Sequence, residues 1–131
     1  MHIEVTRDVL TAIRAEAEQA HPQECCGILL WAGGRVARII TARNVHPAPE
    51  THFEIDPQAL IDAHRDERAG GPAIAGYYHS HPNGRSGLSA QDRRNGAGDG
   101  KLWLVIAGDT VTIWEDGPDG FTSVSYQVIE R

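Results

Sequence analysis

Ala73-Ile74-Ala75-Gly76-Tyr77-Tyr78-His79-Ser80-His81-Pro82 is the stretch on which the reading of this chain turns. It is a largely apolar run bounded upstream by Gly70-Gly71-Pro72 and downstream by Pro82, which reads as a central strand. Side chains at i and i+2 of a strand point to the same face, so His79 and His81 converge while Ser80 points away. Pro82 confines His81 to extended backbone and keeps that pairing intact. A carboxylate follows shortly in Ser89-Ala90-Gln91-Asp92. Two neutral imidazoles and one carboxylate leave a fourth tetrahedral position open, as catalytic zinc sites do. Ser89-x-x-Asp92 also reads as a helix N-cap with an acidic residue at N3, a variant of the capping box. The two readings agree, because a cap at Ser89 fixes the first helical turn and that turn aims Asp92 at the metal. His79, His81 and Asp92 are the candidate ligands of a zinc ion. His2, His21, His46, His52 and His64 have no such company and read as ordinary surface or core residues.

Upstream of this strand, Thr6 can cap a helix through about Ala20, with Val9, Leu10, Ile13 and Ala17 as its apolar stripe. His21-Pro22 ends it. Cys25–Trp31 and Arg35–Thr41 form a hairpin through Ala32-Gly33-Gly34, and the proline-bearing stretch 43–50 reads as loop. Thr51–Ile55 is expected to be extended, and Asp56-Pro57 starts a second helix as N-cap and N1, ending near Gly70. Downstream, Asn83–Leu88 is a glycine-containing loop over the site, and Ser89 opens a short helix that fades at Gly96-Ala97-Gly98. Leu102–Ala107 and Val111–Glu115 form a hairpin through Gly108-Asp109, Asp116–Gly120 is a turn, and Phe121–Ile129 completes the sheet. The expected fold class is α+β, in one domain over residues 1–131.

A chain of 131 residues, 40% hydrophobic, can build one core of useful size. It has no run of eighteen apolar residues to span a membrane. Met1–Asp8 lacks the basic and apolar regions of a signal peptide, so the expected location is the cytoplasm. A net charge of -6 with scattered basic residues argues against tracking phosphates, so nucleic acid is not an expected partner. The two cysteines, Cys25 and Cys26, are adjacent and do not readily form an ordinary disulfide. On a strand they point to opposite faces, and at least one is expected to be a small buried apolar residue. A catalytic thiol is the alternative, but a metal would already supply the nucleophile.

His79-x-His81-Pro82 followed by Ser89-x-x-Asp92 resembles the signature of the JAMM (MPN+) metallopeptidases. That signature also requires an upstream glutamate at the start of the first core strand, and Glu24 of Pro22-Gln23-Glu24-Cys25-Cys26-Gly27 stands there. Asn44, Phe53-Glu54-Ile55-Asp56-Pro57 and Ile74–Tyr78 are similar to the short bacterial and archaeal members, so the resemblance covers most of the chain. It implies a curved mixed β-sheet flanked by helices, an architecture shared with cytidine deaminases. The deaminase zinc site itself is excluded, since H-x-E and P-C-x-x-C are missing.

What the resemblance implies chemically is amide hydrolysis. Zinc lowers the pKa of bound water from about 15.7 towards about 7. A base must still take the water's proton and return it to the leaving amine, and Glu24 matches the family's base, worth about 10²- to 10⁴-fold. Ser89 matches the residue that donates to the oxyanion. The implied partner is a ubiquitin-like or sulfur-carrier protein cut after its C-terminal Gly-Gly, because an extended tail can add to a sheet edge and glycines allow close passage under a metal. Thr51–Ile55 is the candidate docking edge. Alternatives are a deconjugase of a bacterial ubiquitin-like modification system, a phage-tail type peptidase, and a catalytically silent MPN scaffold. A silent scaffold usually lacks ligands, whereas Glu24, His79, His81 and Asp92 are all present.

Overall fold

In chain order the elements are β1 (His2–Thr6), α1 (Arg7–Ala20), β2 (Cys26–Ala32), β3 (Arg35–Ala42), α2 (Pro57–Arg68), β4 (Ile74–Ser80), α3 (Ala90–Arg94), β5 (Leu102–Ala107), β6 (Thr110–Gly117), β7 (Gly120–Ser123) and β8 (Ser125–Ile129). They come from a computed structural model that describes residues 1–130. All eight strands join one mixed sheet in the order β7-β6-β5-β4-β2-β3-β1-β8. The histidine-bearing β4 lies between antiparallel β2 and parallel β5. It is buried on both faces, as its nearly continuous apolar run requires.

The two main helices cover opposite faces. Thr6 Oγ1 accepts from Val9 N at 3.3 Å and opens α1, which packs Val9, Leu10 and Ile13 onto Leu29, Val36, Leu104 and Ile106. Each such side chain is worth roughly 1.5–3 kcal/mol when fully buried. Asp56 Oδ1 accepts from Gln58 N at 3.0 Å and, with Pro57 following, opens α2. That helix sets Ala63 against Ile28, Leu30 and Ile74 on the other face.

A bulge in β4 decides which face receives the histidines. Leu29 pairs with Gly76 but Leu30 with Ile74, so Ala75 is the extra residue. Ile74 and Tyr77 therefore both pack on the α2 side, while Ala75 and Tyr78 both pack on the α1 side. From Tyr77 the alternation carries His79 and then His81 onto the α2 face. Gly76 makes this pairing possible, since a Cβ there would overlap the backbone of Leu102 in β5.

Two expectations need correction, and one strand was not anticipated. The N-terminal residues begin with a strand, β1, in which Ile3 and Val5 are buried. Thr51–Ile55 is not a strand, and its sole ladder contact is an isolated bridge between Asn44 and Ile55. It offers no sheet edge for docking. Phe121–Ile129 is two strands on opposite edges of the sheet, β7 on β6 and β8 on β1, separated by Val124 alone. That single-residue link draws the two edges together and gives the sheet its curvature, with Tyr126 Oη donating across to Val111 O at 3.2 Å. Among the described residues no helix is long and apolar enough to cross a membrane.

Candidate metal centre

The end of β4, the start of α3 and the segment before β2 meet at one point. His79 is on β4, and His81 lies just past it, its N–H still donating to Ile106 O of β5 at 2.8 Å. Asp92 is the N3 residue of α3, in a complete capping box. Ser89 Oγ accepts from Asp92 N at 3.0 Å, and Asp92 Oδ2 accepts from Ser89 N at 2.9 Å. The cap and the aimed carboxylate read from Ser89-x-x-Asp92 are thus one device. Asp92 Oδ2 lies 3.1 Å from His79 Nε2 and 3.1 Å from His81 Nε2, and the two nitrogens are 3.1 Å apart. Glu24 precedes β2 and brings a carboxylate oxygen within 4.8 Å of a ring nitrogen of each histidine. All four residues are buried.

Burial works against charge on Asp92, but hydrogen bonds from His79 and His81 override it and hold the carboxyl well below the usual carboxylate range. Burial lowers the pKa of His79, with Asp92 offsetting part of the effect. For His81 burial also acts downward, yet Asp92 and the Arg85 carbonyl outweigh it and the net shift is upward. Burial raises Glu24 to about 7, with His81 lowering it and Asp92 raising it further. A carboxyl titrating there is matched to accepting and returning protons near neutrality.

These residues suit zinc. Metal–donor bonds of about 2.0–2.2 Å in a tetrahedron require donors about 3.3–3.5 Å apart, close to the observed triangle. His81 Nδ1 faces the carbonyl of Arg85 at 2.8 Å, and a carbonyl only accepts, so Nδ1 carries a proton and Nε2 points inward. In the metal-free chain protons on the imidazoles bridge to Asp92; a cation at that point would replace those protons and be met by three donor electron pairs. The three donors Glu24, His79 and His81 form a wider group, which puts Glu24 beside the triangle.

Residues 6–117 match the family described as prokaryotic homologs of the JAB domain. The chain belongs to this family. Among curated relatives it is 40% identical over 89 residues to a probable TtuB-protein conjugate cleaving protease of Thermus thermophilus, covering 67% of this chain but only 59% of that protein. It is 32% identical over 125 residues to the desampylase of Haloferax volcanii, covering 92% of this chain and 88% of the relative. The solution structure of a Desulfitobacterium hafniense protein superposes with a TM-score of 0.84 at 26% identity, covering all of this chain and 94% of that one.

Around the JAB-domain centre lie groups that the motif did not announce. Phe53 stacks on His79 with centroids 4.2 Å apart and planes 17° apart, and Trp103 meets the same ring edge-on. Both line a cavity of about 500 Å³ with Leu60 and Tyr77. A second cavity, of about 370 Å³, is lined by Glu24, Glu50, His81, Arg85 and Ser89. Asn44, noted in the sequence only as a point of resemblance, bonds the backbone of Glu24, His46, His52 and Glu54. The remaining histidines take no part in the donor cluster. Both cysteines are buried, which raises Cys25 to about 11 and Cys26 to about 12.

Proposed function

We propose that this chain, acting as a single catalytic domain, is a zinc-dependent isopeptidase that releases a ubiquitin-like protein from its conjugates by cutting after a C-terminal Gly-Gly. His79, His81 and Asp92 would hold the ion. The observation that carries this reading is the buried triangle of three donors with 3.1 Å edges and a carboxylate of pKa about 7 beside it. The names of the Thermus and Haloferax relatives favour conjugates over linear precursors. When bound, zinc supplies Lewis acidity that makes a water nucleophilic near neutral pH.

The chain's own residues do the rest. Glu24 takes a proton from the attacking water and hands it to the departing nitrogen. Ser89 Oγ accepts from Asp92 N and so keeps its own proton to donate toward the carbonyl oxygen as charge develops there. The proton return fixes the direction of the substrate. The leaving amine must lie within reach of Glu24, hence in the cavity lined by Glu24, Glu50, Arg85 and Ser89. The acyl side, the extended tail, takes the larger apolar cavity beside Phe53 and Trp103. Glycines before the bond let that tail pass close beneath the ion without a side-chain clash.

The test is a paired cleavage assay with zinc-loaded protein. One substrate is a ubiquitin-like protein joined through Gly-Gly to a lysine side chain, and the other is the same protein extended linearly after Gly-Gly. Cleavage of the first, with replacement of the last glycine by valine lowering kcat/KM by about 10²-fold, is the expected result. Preferential cleavage of the linear form would instead support precursor processing. Inertness toward both would overturn the reading.

A further inference from the structure

We propose that Asn44 is a positioning residue that sets the base Glu24 against the ligand His79, an inference that rests on the reading of Glu24 as the base. Glu24 lies in no regular element, between the end of α1 and the start of β2, so no sheet ladder fixes its backbone. The loop from Asn44 to Glu54 does so instead. Glu24 N donates to Pro49 O at 2.8 Å, and Glu24 O accepts from Asn44 Nδ2 at 3.0 Å.

The rest of the Asn44 amide ties this anchor to the other wall of the site. Nδ2 also donates to His52 O at 2.9 Å, with Pro49 O at 3.4 Å, while Oδ1 accepts from His46 N at 3.1 Å and Glu54 N at 3.0 Å. The orientation is unambiguous, because carbonyls surround the nitrogen and N–H groups face the oxygen. Both donors and both lone pairs are used. Residues His52 and Glu54 flank Phe53, which stacks on His79. One side chain therefore fixes the backbone that carries the base and the backbone that carries the aromatic cap on a ligand. Catalytic groups must hold their places within about 0.5 Å, and a misplacement of about 1 Å can cost about 10²-fold in rate.

Asn44→Asp is the discriminating variant. It keeps the acceptor for His46 N and Glu54 N but puts an oxygen where three carbonyls need a donor. Zinc-loaded wild type, Asn44→Asp, Glu24→Gln and the double variant are assayed on the Gly-Gly isopeptide conjugate, with zinc content and melting temperature measured for each. Asn44→Asp is expected to keep its zinc and lower kcat about 10- to 100-fold with KM little changed. In the Glu24→Gln background the same change should cost several-fold less, since the base it positions is gone and only the Phe53 wall remains to be disturbed. Without substrate, exchange of the Glu24 amide hydrogen should quicken in Asn44→Asp. Equal losses in both backgrounds, no loss in either, or failure of both Asn44→Asp and Asn44→Ala to fold would each overturn the proposal. A wild type that leaves the conjugate intact removes the base itself, and it shows before any change at Asn44 is made.

Discussion

His81 donates its Nδ1 proton to the carbonyl of Arg85, 2.8 Å away, and that bond turns its Nε2 toward Asp92. The loop that lies over the site is thus also the clamp on one of its imidazoles. Outer hydrogen bonds of this kind typically carry 10- to 100-fold, by order of magnitude, in metal affinity.

The contribution of Arg85 to this clamp is backbone, and the turn that delivers it uses Gly84 at φ +78, where Gly84 N donates to His81 O at 3.0 Å. Arg85→Ala should leave zinc affinity unchanged. Gly84→Val places a branched side chain in the left-handed region and should weaken zinc binding by about tenfold. Competition with a chromophoric chelator measures both, and a larger loss in Arg85→Ala than in Gly84→Val would contradict the clamp.

Glu24→Gln separates binding from chemistry. It removes a proton acceptor and leaves the three-donor triangle in place, so zinc content should hold while turnover falls at least about 10²-fold. Normal turnover in this variant would exclude Glu24 as the base.

The same residue gives a pH signature in metal-free protein. Burial raises the Glu24 carboxyl from its ordinary 4.5 to about 7, so the folded chain holds a proton that the unfolded chain has lost. Stability from this group is full below 4.5 and is lost as pH rises to about 7. Glu24→Gln has no proton to lose. After chelation it should be more stable than wild type at pH 8, by about 2 kcal/mol, and the gap should shrink toward pH 4.5. Denaturant melts at several pH values test this, and a gap that widens on acidification would refute it.

Cys25 and Cys26 should be dispensable for turnover. Both thiols are buried and held protonated, at about 11 and about 12, so neither is a nucleophile at neutral pH. A Cys25→Ser, Cys26→Ser variant should lose stability, because each change replaces a buried thiol by a smaller and more polar hydroxyl, but keep its rate per folded molecule. Chelators should inhibit the wild type where alkylating reagents do not. Rapid inactivation by alkylation, with zinc and fold intact, would point to a thiol enzyme.

Much of this centre was legible in the chain because its logic is local. Two histidines share a strand face at i and i+2, and one capping box both starts α3 and points Asp92 inward. Helices α1 and α2 announced themselves by Thr6, Asp56-Pro57 and their apolar stripes. What stayed hidden depends on distant partners. Strand β1 is five residues long and gains its meaning from parallel pairing with β8, at the far end of the sequence. The bulge at Ala75 exists only in register with Leu29 and Leu30. Thr51–Ile55 has the alternation of a strand, but its backbone groups bond to the side chain of Asn44, so no ladder forms. The roles of Phe53 and Asn44 follow from that same loop.

Elemental analysis of purified, zinc-reconstituted protein tests the proposed centre most directly. His79, His81 and Asp92 predict about one zinc per chain in the wild type, in a three-donor site with an open fourth position. His81→Ala should lose most of that zinc while Glu24→Gln retains it. Equal zinc in His81→Ala and wild type, or loss in Glu24→Gln alone, would contradict the proposed centre.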